Sequence, residues 1–203
     1  MGSKILKTDH CKYLIMKKIA ILASGSGSNA ENIIRFFQNH PAILVDSVWT
    51  NKANAFVLER AERLNIEAHV FTKNELALTN HLLNEFKSRK IDLIVLAGFL
   101  LLLPQKFVRE FQVVNIHPAL LPSYGGKGMY GEHVHSAVIA NKEKQSGITI
   151  HLVDEVYDHG KILFQASCTI DPMDTPQDLA GKIHELEMEH FPRVIETLLL
   201  GSA

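Results

Sequence analysis

A short apolar strand that leads directly into a glycine turn opens the patterned part of this sequence. Residues 18–23 (KIAILA) are rich in β-forming residues, and Ser24-Gly25-Ser26-Gly27-Ser28-Asn29 follows at once. Beyond the turn, apolar residues recur at helical spacing from Ile33 to Phe37, and Asn29 is placed to cap that helix. The segment therefore predicts a strand, a tight turn and a helix, which is the repeating unit of α/β folds.

The alternation of strands and helices continues beyond this first unit. Residues 91–97 (IDLIVLA) are almost entirely apolar, as expected for a central parallel strand covered on both faces. Before them, the patterns predict strands at 43–50 and 68–71 and helices at about 55–64 and 75–88. We therefore predict an α/β fold with a doubly wound, mostly parallel, Rossmann-like sheet.

The pattern changes in the second half of the chain. Glycine-rich residues 120–131 predict a long loop, and a helix is expected at 134–141. Residues 147–153 and 161–170 then predict a late antiparallel hairpin. The last helix is expected to open at Asp174-Thr175-Pro176 and to run to about residue 199.

Composition and charge exclude several kinds of partner. With 21 basic against 22 acidic side chains the formal net charge is −1, and without a polybasic run we expect no nucleic-acid partner. The longest apolar run, 91–104, contains Asp92 and is shorter than the roughly 20 residues that span a bilayer, so we expect no membrane partner. Cys11 and Cys168 do not form a disulfide framework or a metal cluster, which favours a reducing, cytoplasmic location.

Domain organisation follows from the same survey. The chain has 203 residues, shows no internal repeat or linker, and fits one domain. We predict a single domain over residues 16–203. Residues 1–15 lack a long apolar segment and a cleavage site, so we interpret them as a leader or a non-native remnant.

The glycine turn matches a phosphate-binding pattern. Gly25-x-Gly27-x-x-Ala30 fits the dinucleotide fingerprint, in which backbone N–H groups at a helix N-terminus approach a phosphate. An NAD site should have an acid at the end of the second strand, where this chain has Thr50-Asn51-Lys52. A phosphate monoester on Gly27, Ser28 and Asn29 is therefore favoured. An NADP site using Lys52, or a turn needed for packing alone, stays open.

Polar residues at the end of the predicted fifth strand suggest acyl-transfer chemistry. Asn115-Ile116-His117-Pro118 lies where parallel sheets bind ligands. An Asn amide donates a hydrogen bond to a developing oxyanion, and a His moves protons near neutral pH. Because the chain has 11 histidines, a structural role for His117 is the plain alternative.

Asp158, in the loop between the two late strands, is the predicted catalytic partner of His117. The chemistry needs a carboxylate near the imidazole, which would raise the imidazole pKa and position a water that carries protons. A solvated loop acid is the alternative.

Several stretches together carry a resemblance to a known family. They are KIAILASGSGSN, VWTNKANA, IDLIVLAGF, VVNIHPALLPSYGGKG and HLVDEVYDHGKILFQ. From about residue 17 to the end of the last helix, the sequence resembles the folate-dependent glycinamide ribonucleotide formyltransferases of purine synthesis. The pairing of NIHPALLP with the later Asp-x-Gly loop is specific to folate formyltransferases.

The resemblance implies two small-molecule substrates, 10-formyltetrahydrofolate as co-substrate and 5-phosphoribosyl-glycinamide, and no metal. The ribonucleotide phosphate would lie on Gly27, Ser28 and Asn29, with the rest of that substrate near His184 and Glu187. The folate would lie against Leu100, Leu101, Leu102, Leu103, Asp154, Glu155, Val156 and Tyr157. The substrate amine would attack the formyl carbon, Asn115 and protonated His117 would stabilise the oxyanion, and Asp158 would relay a proton through water.

The chain departs from this family at two basic positions. The family often carries a basic residue after Gly98-Phe99, where this chain has four leucines, and the arginine often found near Asn74 is missing. The loop from Tyr124 to Gly131 is also richer in glycine than expected, which leaves the contacts of Lys127, His133 and His135 open.

Other functions would explain some of these sequence features. Sister enzymes formylate methionyl-tRNA or a sugar nucleotide or hydrolyse formyl-folate. The methionyl-tRNA enzymes usually add a basic C-terminal β-barrel domain and the hydrolases an N-terminal regulatory domain, and we expect neither here. An NADP-linked oxidoreductase or a non-catalytic nucleotide-binding module would explain the glycine turn but would leave Asn115 and His117 unused. The active protein is expected to be a monomer or a homodimer.

Overall fold

The computed structural model of the protein describes residues 16–201, so the predicted leader at 1–15 lies outside the described residues. The strands are β1 (Lys17–Ala23), β2 (Ile43–Thr50), β3 (Glu67–Val70), β4 (Leu93–Leu96), β5 (Gln112–His117), β6 (Gln145–Leu152) and β7 (Ile162–Thr169). The helices are α1 (Ser28–Phe37), α2 (Val57–Arg63), α3 (Lys73–Leu78), α4 (His81–Ser88), α5 (Gln105–Glu110), α6 (Glu132–Ala140) and α7 (Pro176–Leu200).

Within residues 16–201 the seven strands form one sheet in the order β3-β2-β1-β4-β5-β6-β7. Neighbours from β3 to β5 are parallel, whereas β6 is antiparallel to β5 and β7 is antiparallel to β6. The predicted doubly wound, mostly parallel α/β sheet with a late antiparallel hairpin is therefore confirmed.

Alternation along β1 shows how the sheet is covered on both faces. Ile19 and Ile21 pack in one apolar layer with α1, α6 and α7, while Ala20 and Leu22 pack in another with α4 and α5. All four side chains are fully buried. Successive strand residues point to opposite faces, so a strand segment between two helical layers must be apolar throughout, as β4 and residues 19–23 of β1 are.

The prediction of one continuous helix at 75–88 is wrong, because the structure has two helices there, α3 and α4. Thr79 adopts an extended conformation (φ −115°, ψ 164°) between α3 and α4. Its hydroxyl donates to the Glu75 carbonyl (2.9 Å) and accepts from the His81 N–H (3.3 Å). A threonine side chain that satisfies backbone groups in this way competes with a continuous helix.

The start of α1 also differs from the prediction. Gly27, not Asn29, is the N-cap, and Asn29 lies inside the first turn of the helix. Gly27 has φ +76°, and a Cβ there would collide with the side chain of Val57. The turn thus requires a glycine at this position, and the Asn29 side chain remains available for contacts outside the helix.

No helix between residues 16 and 201 combines the length and the apolar character needed to cross a membrane.

Candidate active site

One cavity of about 890 Å³ lies at the carboxyl edge of the sheet. The glycine turn after β1, the segment after β4, the end of β5, the loop after β6 and α7 all contribute to its walls. The carboxyl ends of parallel strands meet at the same edge of a sheet, and this is where α/β proteins bind ligands. The predicted phosphate turn and the predicted catalytic residues therefore share one cavity.

His117 is held by one ring nitrogen, which leaves the other nitrogen facing the cavity side. Its Nε2 lies 2.8 Å from the carbonyl oxygen of Tyr124, and only 3% of the residue is exposed. Because a carbonyl oxygen accepts hydrogen bonds, we assign the proton of the neutral imidazole to Nε2. The remaining nitrogen, Nδ1, lies 3.5 Å from Oδ2 of Asp158. Nδ1 is thus the nitrogen that can take up a proton.

Burial decides the protonation of His117. It lowers the imidazole pKa, and the opposing effect of the Asp158 charge does not restore the pKa to its ordinary value. Asp158 raises this pKa, as the sequence predicts, but burial lowers it by more, since desolvation disfavours the cation more than the carboxylate favours it. His117 is a neutral base near pH 7.

Asp158 is anchored from several sides. Its Oδ2 accepts a hydrogen bond from the Gly126 N–H (2.9 Å), and its Oδ1 lies 3.6 Å from Nε2 of His151. Burial raises the pKa of Asp158, but its interactions with His151, His117 and Gly126 outweigh burial, so the pKa lies below its usual range. Asp158 is consequently a fixed anion beside His117.

His151 is a site residue that sequence reasoning missed. Only 1% of it is exposed, and its Nε2 lies 3.1 Å from Nδ2 of Asn115. Its Nδ1 lies 2.9 Å from the carbonyl oxygen of Leu152, so in the neutral ring Nδ1 donates there and Nε2 accepts from Asn115. The Asn115 amide keeps a second N–H for the cavity. The signal was the antiparallel register, which pairs Asn115 with His151 across β5 and β6.

The cavity wall also contains the predicted phosphate residues Gly27, Ser28 and Asn29, at the start of α1. The Asn29 side chain donates to Oε2 of Glu187 on α7 (2.8 Å), and His184 Nδ1 lies 3.8 Å from the same oxygen. Interaction with Glu187 raises the pKa of His184. All five residues predicted for the phosphorylated substrate therefore line one end of the cavity.

The residues predicted to bind folate are only partly brought together. Leu100, Leu101, Leu102, Leu103, Val156 and Tyr157 line the cavity. Asp154 and Glu155 do not line it, because their carboxylates are used elsewhere. Asp154 accepts from the Val156 N–H and pairs with His159 (2.9 Å), and Glu155 pairs with Gln105 and Arg109.

A protein-family model described as Formyl transferase matches residues 17–195. The chain belongs to the formyl transferase family. Phosphoribosylglycinamide formyltransferase of Bacillus subtilis is 34% identical over 195 residues, which cover 91% of this chain and 95% of that protein. The crystal structure of glycinamide ribonucleotide transformylase 1 from Geobacillus kaustophilus has a TM-score of 0.82 at 33% identity, covering 91% of this chain and 99% of that one. Within the family, the chain is therefore a member of the phosphoribosylglycinamide formyltransferases.

Some relatives of this chain are longer. The chain spans 61% of the chloroplastic phosphoribosylglycinamide formyltransferase of Vigna unguiculata, at 36% identity. It spans 14% of the Trifunctional purine biosynthetic protein adenosine-3 of Drosophila melanogaster, also at 36% identity. The similarity thus covers one part of these proteins.

Proposed function

We propose that this protein transfers a formyl group from 10-formyltetrahydrofolate to the amine of 5-phosphoribosyl-glycinamide. The products are the N-formyl ribonucleotide and tetrahydrofolate. The observation that carries the proposal is that one cavity is lined by an anion-binding turn, by Asn115, His117 and Asp158, and by an apolar wall. These three kinds of surface suit a phosphate, a reacting amine and formyl group, and a pterin, respectively.

The start of α1 can bind a phosphate without a broad basic surface around it. Backbone N–H groups at the start of α1 are free of intrahelical partners and carry the positive end of the helix dipole, which favours a phosphate. The carboxylate of Glu187 lies next to this turn and is suited to accept hydrogen bonds from ribose hydroxyl groups. We therefore assign Gly27, Ser28, Asn29, His184 and Glu187 to the phosphoribosyl part.

The neutral His117 accounts for the first proton transfer. When the substrate amine attacks the formyl carbon, a C–N bond forms, the carbonyl oxygen becomes an oxyanion, and the attacking nitrogen must lose a proton. Nδ1 of His117 accepts this proton, and the imidazolium that results is stabilised by the Asp158 carboxylate at 3.5 Å. The Nδ1–H of the His117 imidazolium and the free N–H of Asn115 then donate hydrogen bonds to the oxyanion.

Collapse of the tetrahedral intermediate returns the same proton. The carbonyl re-forms, the bond from carbon to N10 of the folate breaks, and N10 must gain one proton to leave as an amine. In the proposed mechanism, Asp158 holds a water that passes this proton from His117 to N10. One proton leaves the attacking amine and one reaches the leaving nitrogen, so the step balances without an added oxidant or reductant.

We further propose that residues 16–203 act as one domain, as a monomer or homodimer in the cytoplasm, on small molecules and without a metal. Proton transfer by His117 and hydrogen-bond donation by Asn115 provide the chemistry described here, so a chelator is expected to leave turnover unchanged. Activity lost to a chelator and restored by a divalent ion would contradict the last point.

Product formation tests the proposed reaction. The purified protein, mixed with 10-formyltetrahydrofolate and 5-phosphoribosyl-glycinamide, is expected to release tetrahydrofolate and the formylated ribonucleotide in equal amounts. A parallel titration with NADPH serves as the control for a nicotinamide site. Binding of NADPH without any formyl transfer would overturn the proposal in favour of an oxidoreductase.

A further inference from the structure

His117 belongs to a row of polar side chains that crosses strands β5, β6 and β7. The antiparallel register pairs His117 on β5 with Thr149 on β6, and Thr149 with Gln165 on β7. Side chains paired across antiparallel strands lie on the same face of the sheet. Thr149 is fully buried, and both Thr149 and Gln165 lie outside the active-site cavity. These two residues can therefore act on the reaction through the groups that they hold in place.

Thr149 and Gln165 hold the segment that follows β5. The Thr149 hydroxyl donates to the Ala119 carbonyl (2.7 Å) and accepts from the Leu121 N–H (2.9 Å). The Gln165 amide donates to the Thr149 hydroxyl oxygen (2.8 Å) and to the Leu121 carbonyl (3.1 Å). We call these four hydrogen bonds the polar clamp. The polar clamp satisfies both backbone groups of Leu121 and fixes this segment on the sheet.

The clamped segment leads to the carbonyl group that orients His117. The Ser123 N–H donates back to the Leu120 carbonyl (3.2 Å), and the next carbonyl, that of Tyr124, lies 2.8 Å from Nε2 of His117. Tyr124 has a φ of +57°, a left-handed conformation that residues other than glycine seldom adopt. Such a conformation persists where the surrounding structure enforces it. The polar clamp on one side, and the hydrogen bond from the Tyr124 hydroxyl to Glu143 (2.7 Å) on the other, supply this constraint.

The position of the Tyr124 carbonyl decides which nitrogen of the neutral His117 ring carries the proton. A carbonyl oxygen can only accept a hydrogen bond, so its contact with Nε2 favours the tautomer with the proton on Nε2. Nδ1, which lies 3.5 Å from Oδ2 of Asp158, is then free to accept a proton. If the carbonyl moved away, the other tautomer would become favourable, because Nδ1–H can donate to the carboxylate. In that tautomer Nδ1 cannot take a proton from the substrate amine.

We infer that Thr149 and Gln165 are positioning residues that keep His117 in its reactive tautomer by fixing the carbonyl of Tyr124. This inference rests on the proposed function, in which Nδ1 of His117 accepts the proton of the attacking amine. Because both positioning residues lie outside the cavity, loss of the polar clamp should lower kcat and leave KM for the folate and for the ribonucleotide unchanged.

Two variants remove parts of the polar clamp from different strands. Thr149→Val replaces a buried hydroxyl by a methyl group, and Gln165→Met removes the amide from an exposed position on β7. We expect kcat to fall about tenfold to 100-fold in Thr149→Val, the scale for a misplaced catalytic group, and at least about threefold in Gln165→Met. Thr149→Ser keeps the hydroxyl and should retain most of the wild-type kcat. If Thr149→Val does not fold, Gln165→Met decides the outcome.

The matched control for the glutamine variant is Gln145→Met. Gln145 is also exposed, lies on β6 of the same hairpin, and donates its amide to the Ser167 hydroxyl on β7 (2.9 Å). It lies outside the active-site cavity. Gln145→Met therefore removes one bond within the hairpin without touching the clamped segment, and kcat should stay unchanged.

Nitrogen NMR of the free protein measures the tautomer itself. In protein made with isotopically labelled histidine, a ring nitrogen that carries a proton and one that does not resonate far apart, and the spectrum of His117→Ala identifies the His117 signals. At a pH where this ring is neutral, the wild-type protein and Gln145→Met should have the proton on Nε2. Gln165→Met and Thr149→Val should show a population with the proton on Nδ1.

Wild-type kcat in the folded clamp variants would overturn the inference. A fall in kcat with the His117 proton still on Nε2, or an equal fall in Gln145→Met, would also overturn it, because the clamp would then support the hairpin rather than the tautomer. If the wild-type protein transfers no formyl group, the proposed function fails. The NMR comparison is independent of that result, and an unchanged tautomer in the clamp variants would overturn the inference separately.

Discussion

At the scale of single residues, His117 has a lowered pKa although it lies beside a carboxylate. Burial lowers this pKa and Asp158 raises it, with burial the larger of the two effects. In the proposed reaction His117 starts as a base, so the free protein is active when the imidazole is neutral. The pKa of the free protein is what kcat/KM reports.

A pH profile of Asp158→Asn tests this balance. In the wild-type protein, kcat/KM should fall as the pH drops below about 6.5 and through the lowered pKa of His117. Removal of the Asp158 charge removes the effect that raises this pKa, so the acidic limb should move to lower pH in the variant. Asp171→Asn, at an exposed carboxylate that pairs with Lys182, is the matched control and should leave the limb in place. A shift to higher pH in Asp158→Asn would contradict the assignment.

At the scale of elements, the glycine turn determines where α1 begins. A Cβ at Gly27 would collide with Val57 of α2, and its φ of +76° disfavours any other residue. A Cβ at Gly25 would meet no atom within 4 Å. A side chain is therefore tolerated at Gly25 but not at Gly27.

Gly27→Ala should lower the free energy of unfolding by about 1–2 kcal/mol or more, from the strained backbone and the contact with Val57. It should also raise KM for the phosphorylated substrate more than KM for the folate, since the start of α1 must move. Urea unfolding and steady-state kinetics measure the two effects, with Gly25→Ala as the control. Equal behaviour of the two variants would show that the turn is not constrained as described.

The same elements show what could be predicted from the sequence. The strands β1, β2 and β4 and the long helix α7 were evident, because apolar periodicity and the Asp174-Thr175-Pro176 start are local signals. The break between α3 and α4 could not be predicted from the sequence, because it depends on where the Thr79 hydroxyl forms its hydrogen bonds. Short α5 was not predicted either.

In the candidate site, too, the residues marked by local sequence signals could be predicted, whereas those that depend on tertiary contacts could not. Asn115 and His117 lie at the carboxyl end of β5, so their place at the sheet edge was predictable from the sequence. His151 required the register between β5 and β6, and the direction of the His117 pKa required knowledge of burial. The resemblance to folate formyltransferases implies a folate contact for Asp154 and Glu155, but their partners within and beside the loop keep them away from the cavity.

At the scale of the whole molecule, two buried histidines make the fold sensitive to acid. Burial lowers the pKa of both His117 and His135, and His135 is 7% exposed with a buried Nδ1 that has no hydrogen-bond partner within residues 16–201. Both rings must take up protons more readily in the unfolded chain than in the folded one. Stability should therefore fall as the pH drops from about 6.5 through the lowered values.

His135→Asn tests this linkage against His133→Asn, its exposed neighbour on α6. Between pH 7.5 and 5.5 the wild-type protein should lose unfolding free energy, by at most about 1.4 kcal/mol per pH unit for each buried histidine. The loss should be smaller in His135→Asn and unchanged in His133→Asn, whatever the stability of each variant at pH 7.5. Parallel pH dependence in all three proteins would exclude His135 as a source of acid sensitivity.

In the proposed mechanism His117 and Asp158 act as one unit in formyl transfer, and a double-mutant cycle measures this directly. His117→Ala should lower kcat for formyl transfer at least ~10²-fold, and His117→Ala combined with Asp158→Asn should be at most about tenfold slower than the slower single variant. Losses that multiply would show that the two residues act independently. That result, or wild-type turnover in His117→Ala, would contradict the account.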